Sequence, residues 1–185
     1  MRIYCDTDTL SHNVERHANQ PEVRAELDAL RLLLKQHADG RVVMYRSRVN
    51  LRELEQTRNA DQLRLLAADY EALEPVPLDE RHYGNSEEMV DPFGSVVSSP
   101  LVSDVQDEKI LAELQGYGLS RRDAEHITQA GCNGCEVFLT RDRALLLKFR
   151  PFIEARFPQL RVLQPSQLEV ELALPAQSAG LAKEK

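Results

Sequence analysis

The chain has 185 residues, 42% of them hydrophobic, and a net charge of −7. That length suits one domain of roughly 100 to 200 residues with a real core, and no apolar run approaches the ~18 residues needed to span a bilayer. The acidic balance excludes a uniformly basic nucleic-acid-binding surface, and the three cysteines, Cys5, Cys132 and Cys135, are too few and odd in number for a disulfide framework.

Arg2 to Cys5 predicts a short strand, and Asp6 to Asn13 the loop and first turn after it. Asn19-Gln20-Pro21 supplies a cap-like residue and a proline suited to a first helical turn, ahead of an apolar stripe through Val23, Leu27, Leu30 and Leu34 that ends near Gly40. Arg41 to Tyr45 predicts a second strand, followed by Ser47 and a helix carrying Val49, Leu51, Glu53 and Leu54. Asn59 to Glu74 is a further amphipathic helix, terminated by Pro75 and Pro77. Residues 75–104 carry prolines, glycines, serines and acids with little periodicity, and are expected to form a long loop or insertion. A helix follows through Ile110, Leu111 and Leu114, closed by Gly116 and Gly118, and another starts at Ser120 with Ala124, Ile127 and Ala130. Gly131 to Gly134 is read as a turn into a strand, Glu136 to Leu139, with a last strand around Arg161 to Leu163 and a polar tail from Gln177 to Lys185.

Strands that alternate with helices imply βαβ units and a mostly parallel sheet, with ligands at the carboxyl ends of the strands. Four acids fall near that edge: Asp6 after the first strand, Glu53 in the helix after the second, Asp123 in the opening turn of the helix before the Glu136 strand, and Asp142 after that strand. Clustered carboxylates repel one another and are costly to desolvate, so gathering them calls for a cation. Hard oxygen ligands select Mg2+ or Mn2+, whose chemistry suits phosphoryl transfer. Each acid has a second reading. Ser120 to Asp123 also fits a capping pattern, Asp6 and Asp8 fit loop-forming residues, Thr140 with Asp142 fits an ordinary helix start, and Glu53 has a rival in Glu55.

Three stretches resemble the PIN-domain ribonucleases, a family that includes the VapC-type toxins of bacterial toxin–antitoxin pairs. "YCDTDTLS" is similar to the family's opening strand and aspartate, and "SRVNLRELE" to its segment with a serine six positions before an acid. "LSRRDAEHITQAGCNGCEVFLTRDRALL" is similar to its Asp-Ala-x-His helix and following strand ending Thr-x-Asp. The resemblance covers residues 3 to about 147, and more weakly 163. It implies a PIN-like three-layer α/β/α sandwich over residues 1–165, with 166–185 as a C-terminal extension. It also implies an endoribonuclease that uses Mg2+ or Mn2+ held by Asp6, Glu53, Asp123 and Asp142, with Thr140 as a hydroxyl beside them. RNA, an antitoxin protein and a second copy of the chain are the implied partners; the absence of a membrane and a cytoplasmic location are expected instead from the apolar-run lengths and the cysteine count.

Arginines flank the acids: Arg46, Arg48 and Arg52 before Glu53, Arg121 and Arg122 before Asp123, and Arg141 and Arg143 around Asp142. Of these Arg48, Arg122 and Arg141 are expected to meet phosphate, so that a locally positive rim coexists with an acidic whole. Solvated surface with local ion pairs is the other reading of each. With tryptophan absent, base stacking has little support. His126, one helical turn after Asp123, either approaches the site or sits as a polar residue on a half-exposed helix. Cys132-Asn-Gly-Cys135 closes a helix rather than opening one, and has no second pair for zinc, so small buried thiols are expected. Two other functions compete. One is a PIN-like module that binds RNA or protein without cutting. The other is a haloacid-dehalogenase-type phosphatase, suggested by Asp6-x-Asp8, although the threonine of that motif arrives one position early at Thr9.

Overall fold

A computed structural model describes residues 1–10, 20–56, 60–78, 88–90, 96–98 and 107–173. Its organising element is a five-stranded, all-parallel sheet. In chain order the strands are β1 (Arg2–Cys5), β2 (Val43–Arg46), β3 (Glu74–Pro75), β6 (Val137–Leu139) and β7 (Arg161–Leu163). They lie side by side as β3-β2-β1-β6-β7, with β1 in the centre. The chain therefore builds outward from β1 in one direction, then returns and builds outward on the other side. The reversal places a topological switch point between β1 and β6, where Ile3, Tyr4 and Cys5 pair with Val137, Phe138 and Leu139. Loops leaving the carboxyl ends of two such strands part to opposite sides of the sheet and open a crevice.

Both faces of the sheet are covered, as the strand residues require. Alternate side chains point to opposite faces. Tyr4, Phe138 and Val162 enter a core with Leu114, Ile127 and Ile153, supplied by α5 (Glu108–Gly116), α6 (Arg121–Cys132) and α7 (Arg150–Arg156). Ile3, Met44 and Leu139 enter the other, with Leu30 and Leu33 of α2 (Pro21–Ala38) and Leu168 of α8 (Pro165–Ala173). The result is the three-layer α/β/α arrangement expected from the alternation of strands and helices. No described helix is long and apolar enough to cross a membrane.

The helices begin where small polar residues allow. Pro21 opens α2 at a position that needs no amide proton. Ser47 caps α3 (Arg48–Glu55), and Asn50 reciprocates by accepting from the Ser47 amide. Asp107 caps α5 and Ser120 caps α6. A single turn, α1 (Thr7–Leu10), follows β1 directly, and α4 (Ala60–Ala72) packs beside α3 through Leu54, Leu66 and Tyr70.

Four local expectations need correction. Pro75 does not simply end a helix; with Glu74 it forms β3, a two-residue edge strand, where a missing amide proton costs no ladder bond. Within the stretch expected to be loop, β4 (Glu88–Val90) and β5 (Val96–Ser98) pair antiparallel as a separate two-stranded sheet. Gly131 lies inside α6, and the turn is made by Asn133 and Gly134, the latter at φ +61°. A π-helical stretch, Leu145–Phe149, runs into α7, and α8 begins the segment expected as an extension. The remainder of 79–106 and the polar tail lie outside the described residues.

Candidate metal and phosphate site

Asp6 is the first residue past β1, and its amide donates to the Leu139 carbonyl at the end of β6, 3.0 Å away. The carboxylate is thereby fixed at the switch point. Thr140, the first residue past β6, donates from its hydroxyl to Asp6 Oδ2 at 2.7 Å, so the two strand ends are tied across the crevice. Asp6 Oδ1 faces His126 Nε2 at 3.8 Å. Only 7% of Asp6 is exposed, and burial pushes its pKa up to about 6, with the charges of Asp8 and Glu53 adding and His126 and Thr140 opposing.

Glu53 approaches from the side, projecting from α3. Its Oε2 lies 3.0 Å from His126 Nε2, and its Oε1 3.1 Å from Arg122 Nε. Burial would raise the Glu53 pKa, but His126, Thr7 and Arg122 outweigh it and the net shift is downward. For His126, burial disfavours the cation, yet the hydrogen bond to Glu53 and the charges of Asp6, Glu53 and Asp123 reverse the balance and raise the pKa. The ring is 1% exposed. Its Nδ1 meets the Tyr4 hydroxyl at 2.8 Å, which also lies 2.6 Å from Ser47 Oγ and donates to Asn50 Oδ1. Asn50 in turn donates to the Cys5 carbonyl and the Thr7 hydroxyl. A buried polar network thus holds the imidazole edge-on to the two acids.

Ligand atoms of Asp6, Glu53 and His126 lie within 4.8 Å of one another, and among the described residues no other three His, Cys, Asp or Glu side chains do so. Two carboxylates this close favour positive charge between them, and the hydrogen-bonded imidazole is shifted toward its cationic form. The carboxylate oxygens of Asp6 and Glu53 could hold a hard divalent cation, which His126 could join only as the neutral imidazole.

Of the four acids expected to gather, the structure brings Asp6 and Glu53 together. Asp123 Oδ2 instead accepts from the Ser120 hydroxyl at 2.7 Å while the Asp123 amide donates back, a capping pair at the start of α6. From there its charge still reaches His126. Asp142 caps the next helical stretch, its Oδ1 accepting from the amides of Ala144 and Leu145. The capping and helix-start alternatives thus describe these two side chains. Thr140 stands where expected. Glu55 is exposed at the end of α3 and takes no part in the group.

A cleft of about 550 Å3 opens beside Glu53. Val49, Arg52, Glu53 and Gln56 line it from α3, at the i, i+3, i+4 and i+7 spacing of one helical face. Ser120, Arg121, Arg122 and Glu125 line it from the start of α6. Of the arginines expected to meet phosphate, Arg122 is in the cleft and Arg48 and Arg141 are not; Arg52 and Arg121 take their place. Ser47 was marked by the serine-to-acid spacing in the sequence, whereas Tyr4, Asn50 and Glu125 were not. Of those three, only Glu125 carried a local signal, four residues after Arg121 and so beneath it on the helix.

The three cysteines are free thiols, with Cys5 and Cys135 buried and Cys132 partly so. Burial pushes the Cys135 thiol up to about 12 and the Cys5 thiol higher still, far from a reactive thiolate. No protein-family model, curated protein or solved structure matches the chain.

Proposed function

We propose that the chain is a divalent-metal-dependent ribonuclease of the PIN-like type, hydrolysing RNA phosphodiester bonds with Mg2+ or Mn2+. The observation that carries this is the convergence of Asp6, at the end of β1, and Glu53, from α3, beside an arginine-lined cleft. A divalent cation there would neutralise phosphate charge and lower the pKa of water, which is the chemistry phosphodiester hydrolysis needs.

The protein's own groups have separable tasks. Asp6 and Glu53 would hold the cation. Thr140 occupies Asp6 Oδ2 and so turns Oδ1 toward the site. His126 fixes the orientation of Glu53, and Asp123 adds negative charge from one turn earlier on α6. Arg122 pairs with Glu53, and both line the cleft where an anionic substrate would enter. Asp142 acts through helix capping and through its amide, which donates to the Thr140 hydroxyl. An antitoxin partner and a homodimer belong to the same reading and rest on the motif resemblance alone, and a cytoplasmic location is inferred from the few cysteines and short apolar runs.

The test is cleavage of a mixed RNA panel by the purified chain with Mg2+, Mn2+ or EDTA, alongside Asp6→Asn. Metal-dependent cutting that disappears in the variant is the expected outcome. Folded protein that cuts nothing with either metal points instead to a binding module, and cutting that survives in Asp6→Asn removes Asp6 from the site.

A further inference from the structure

Three side chains from three elements meet beside the carboxyl end of β1, and each has one of its two ligand atoms engaged by a neighbour. Asp6 receives the Thr140 hydroxyl on Oδ2 at 2.7 Å, and its Oδ1 faces His126 Nε2 at 3.8 Å. Glu53 of α3 pairs through Oε1 with Arg122 at 3.1 Å and presents Oε2 to the same nitrogen at 3.0 Å. The Thr7 hydroxyl also approaches Nε2, at 3.5 Å. On the far side of the ring, the partners of Nδ1 decide which nitrogen serves the acids. Asn50 is oriented by backbone at both ends: its Nδ2 donates to the Cys5 carbonyl, and its Oδ1 accepts from the Ser47 amide. That Oδ1 can only accept from the Tyr4 hydroxyl, 3.2 Å away, and the donation uses the single phenolic proton. Ser47 Oγ at 2.6 Å and His126 Nδ1 at 2.8 Å then donate to the Tyr4 oxygen. Nδ1 thus carries a hydrogen, and the lone pair of the neutral ring lies on Nε2. Tyr4 is itself fully buried and stacked on Phe138, so the core fixes this orientation.

We propose that His126 Nε2 is a third ligand of the cation, set in place by Tyr4 as a positioning residue. With Asp6 Oδ1 and Glu53 Oε2 it forms a mixed nitrogen–oxygen site that takes Mn2+ or a later first-row dication in preference to Mg2+. That a divalent cation binds at all belongs to the ribonuclease reading above; which cation it is rests on these three atoms. The separations of 3.0 and 3.8 Å are both shorter than two metal–ligand bonds laid end to end, about 4.2 Å, so one ion can touch the nitrogen and each carboxylate. Binding exchanges the Nε2 proton shared with Glu53, released to solvent, for the ion. Imidazole suits first-row transition ions, whereas Mg2+ keeps an oxygen shell, so the nitrogen is the donor that discriminates. Tyr4 does for this imidazole what a carboxylate or carbonyl does for other metal-bound histidines, holding the distant N–H so that the near nitrogen points at the ion.

Mn2+ is the probe, because its unpaired electrons report a bound nitrogen directly. Electron spin-echo spectra of the Mn2+-loaded chain, with ordinary and isotope-labelled histidine, read the ligand, and calorimetry without RNA reads the Mn2+ and Mg2+ affinities. The expected result is a coupled histidine nitrogen in the wild-type protein that vanishes in His126→Asn. The ratio of Mn2+ to Mg2+ affinity should fall roughly tenfold in that variant. Tyr4→Phe keeps the ring on Phe138 and removes only the hydroxyl; it is expected to weaken Mn2+ about tenfold and Mg2+ much less. Bound Mn2+ with no nitrogen coupling in the wild-type protein would overturn the proposal, and this measurement needs no variant to fold. So would an unchanged Mn2+ to Mg2+ ratio in folded His126→Asn, or wild-type protein that binds neither ion, in which the imidazolium alone balances the acids. The two readings fail separately: metal-dependent cutting without nitrogen coupling removes the His126 ligand alone, and nitrogen coupling in protein that cuts no RNA removes the nuclease alone.

Discussion

His126 sits where three ionisations control one another. Burial disfavours the charged ring, but the hydrogen bond to Glu53 and the charges of Asp6 and Glu53 outweigh it and raise its pKa. The pH dependence has a defined sign. Asp6 and His126 bind their protons more tightly in the folded protein, so their contributions to stability are complete below the ordinary values of 3.8 and 6.5 and are lost as pH rises through the raised ones. Glu53 is shifted downward, and its contribution is lost only as pH falls through that lowered value. The metal-free protein should therefore melt at lower temperature as pH rises through about 6, where Asp6 loses its proton, and on past 6.5, where His126 begins to lose its own. A divalent cation competes with the same protons, so the stabilisation by Mn2+ should grow over that range. Thermal melts in EDTA and in Mn2+ would show both trends. A melting temperature flat in EDTA, or an Mn2+ shift that shrinks with rising pH, would mean that these three groups do not form the cation site.

At the scale of the element, α6 does the most. Its first turn provides Asp123 and two of the cleft arginines, Arg121 and Arg122, its middle His126 and Glu125, and its last turn packs against Phe157. Gly131 belongs to that last contact. A Cβ built there would run into the Phe157 ring, which is itself 5% exposed in the core, so only glycine lets helix and ring approach this closely. Gly131→Ala should thus destabilise the protein by about 1–3 kcal/mol through overpacking, although alanine is the better helix former. Urea unfolding measures it, and an unchanged midpoint would show that Phe157 moves aside at little cost. The same glycine looks like a helix terminator in sequence, because a breaker and a close-packing residue are the same letter.

For the molecule as a whole, the parallel sheet demands cover on both faces, and the chain meets that demand at its described end. Leu168 of α8 is fully buried with Leu30 and Leu33 of α2, and Ser166 donates to the Glu26 carboxylate, tying α8 to α2. Residues 166–173, the described start of the segment expected to extend beyond the domain, therefore belong to its outer layer. Leu168→Ala should cost about 2–5 kcal/mol, read as a loss of cooperative unfolding midpoint. A cost near zero would make α8 an accessory to the fold.

Much of the fold was legible in the sequence because its strands are short, apolar and separated by helices whose periodicity and caps are local properties. β1, the span of α2, the Ser47 start of α3 and the Ser120 start of α6 all follow from a few adjacent residues. Asp6 and Thr140 were legible for the same reason, each being the first residue past a strand. Other features depend on partners far along the chain. Glu74 and Pro75 are a strand only because β2 lies beside them. Asp123 and Asp142 bear the right side chains at the right elements, but nearby hydroxyl and amide donors engage them first. His126 and Glu125, by contrast, acquire their roles only when α6 docks against α3 and the sheet. Local sequence set the elements and the acids at the strand ends; which charges meet, and which are spent on caps, was decided by the packing that brings distant residues within hydrogen-bond reach.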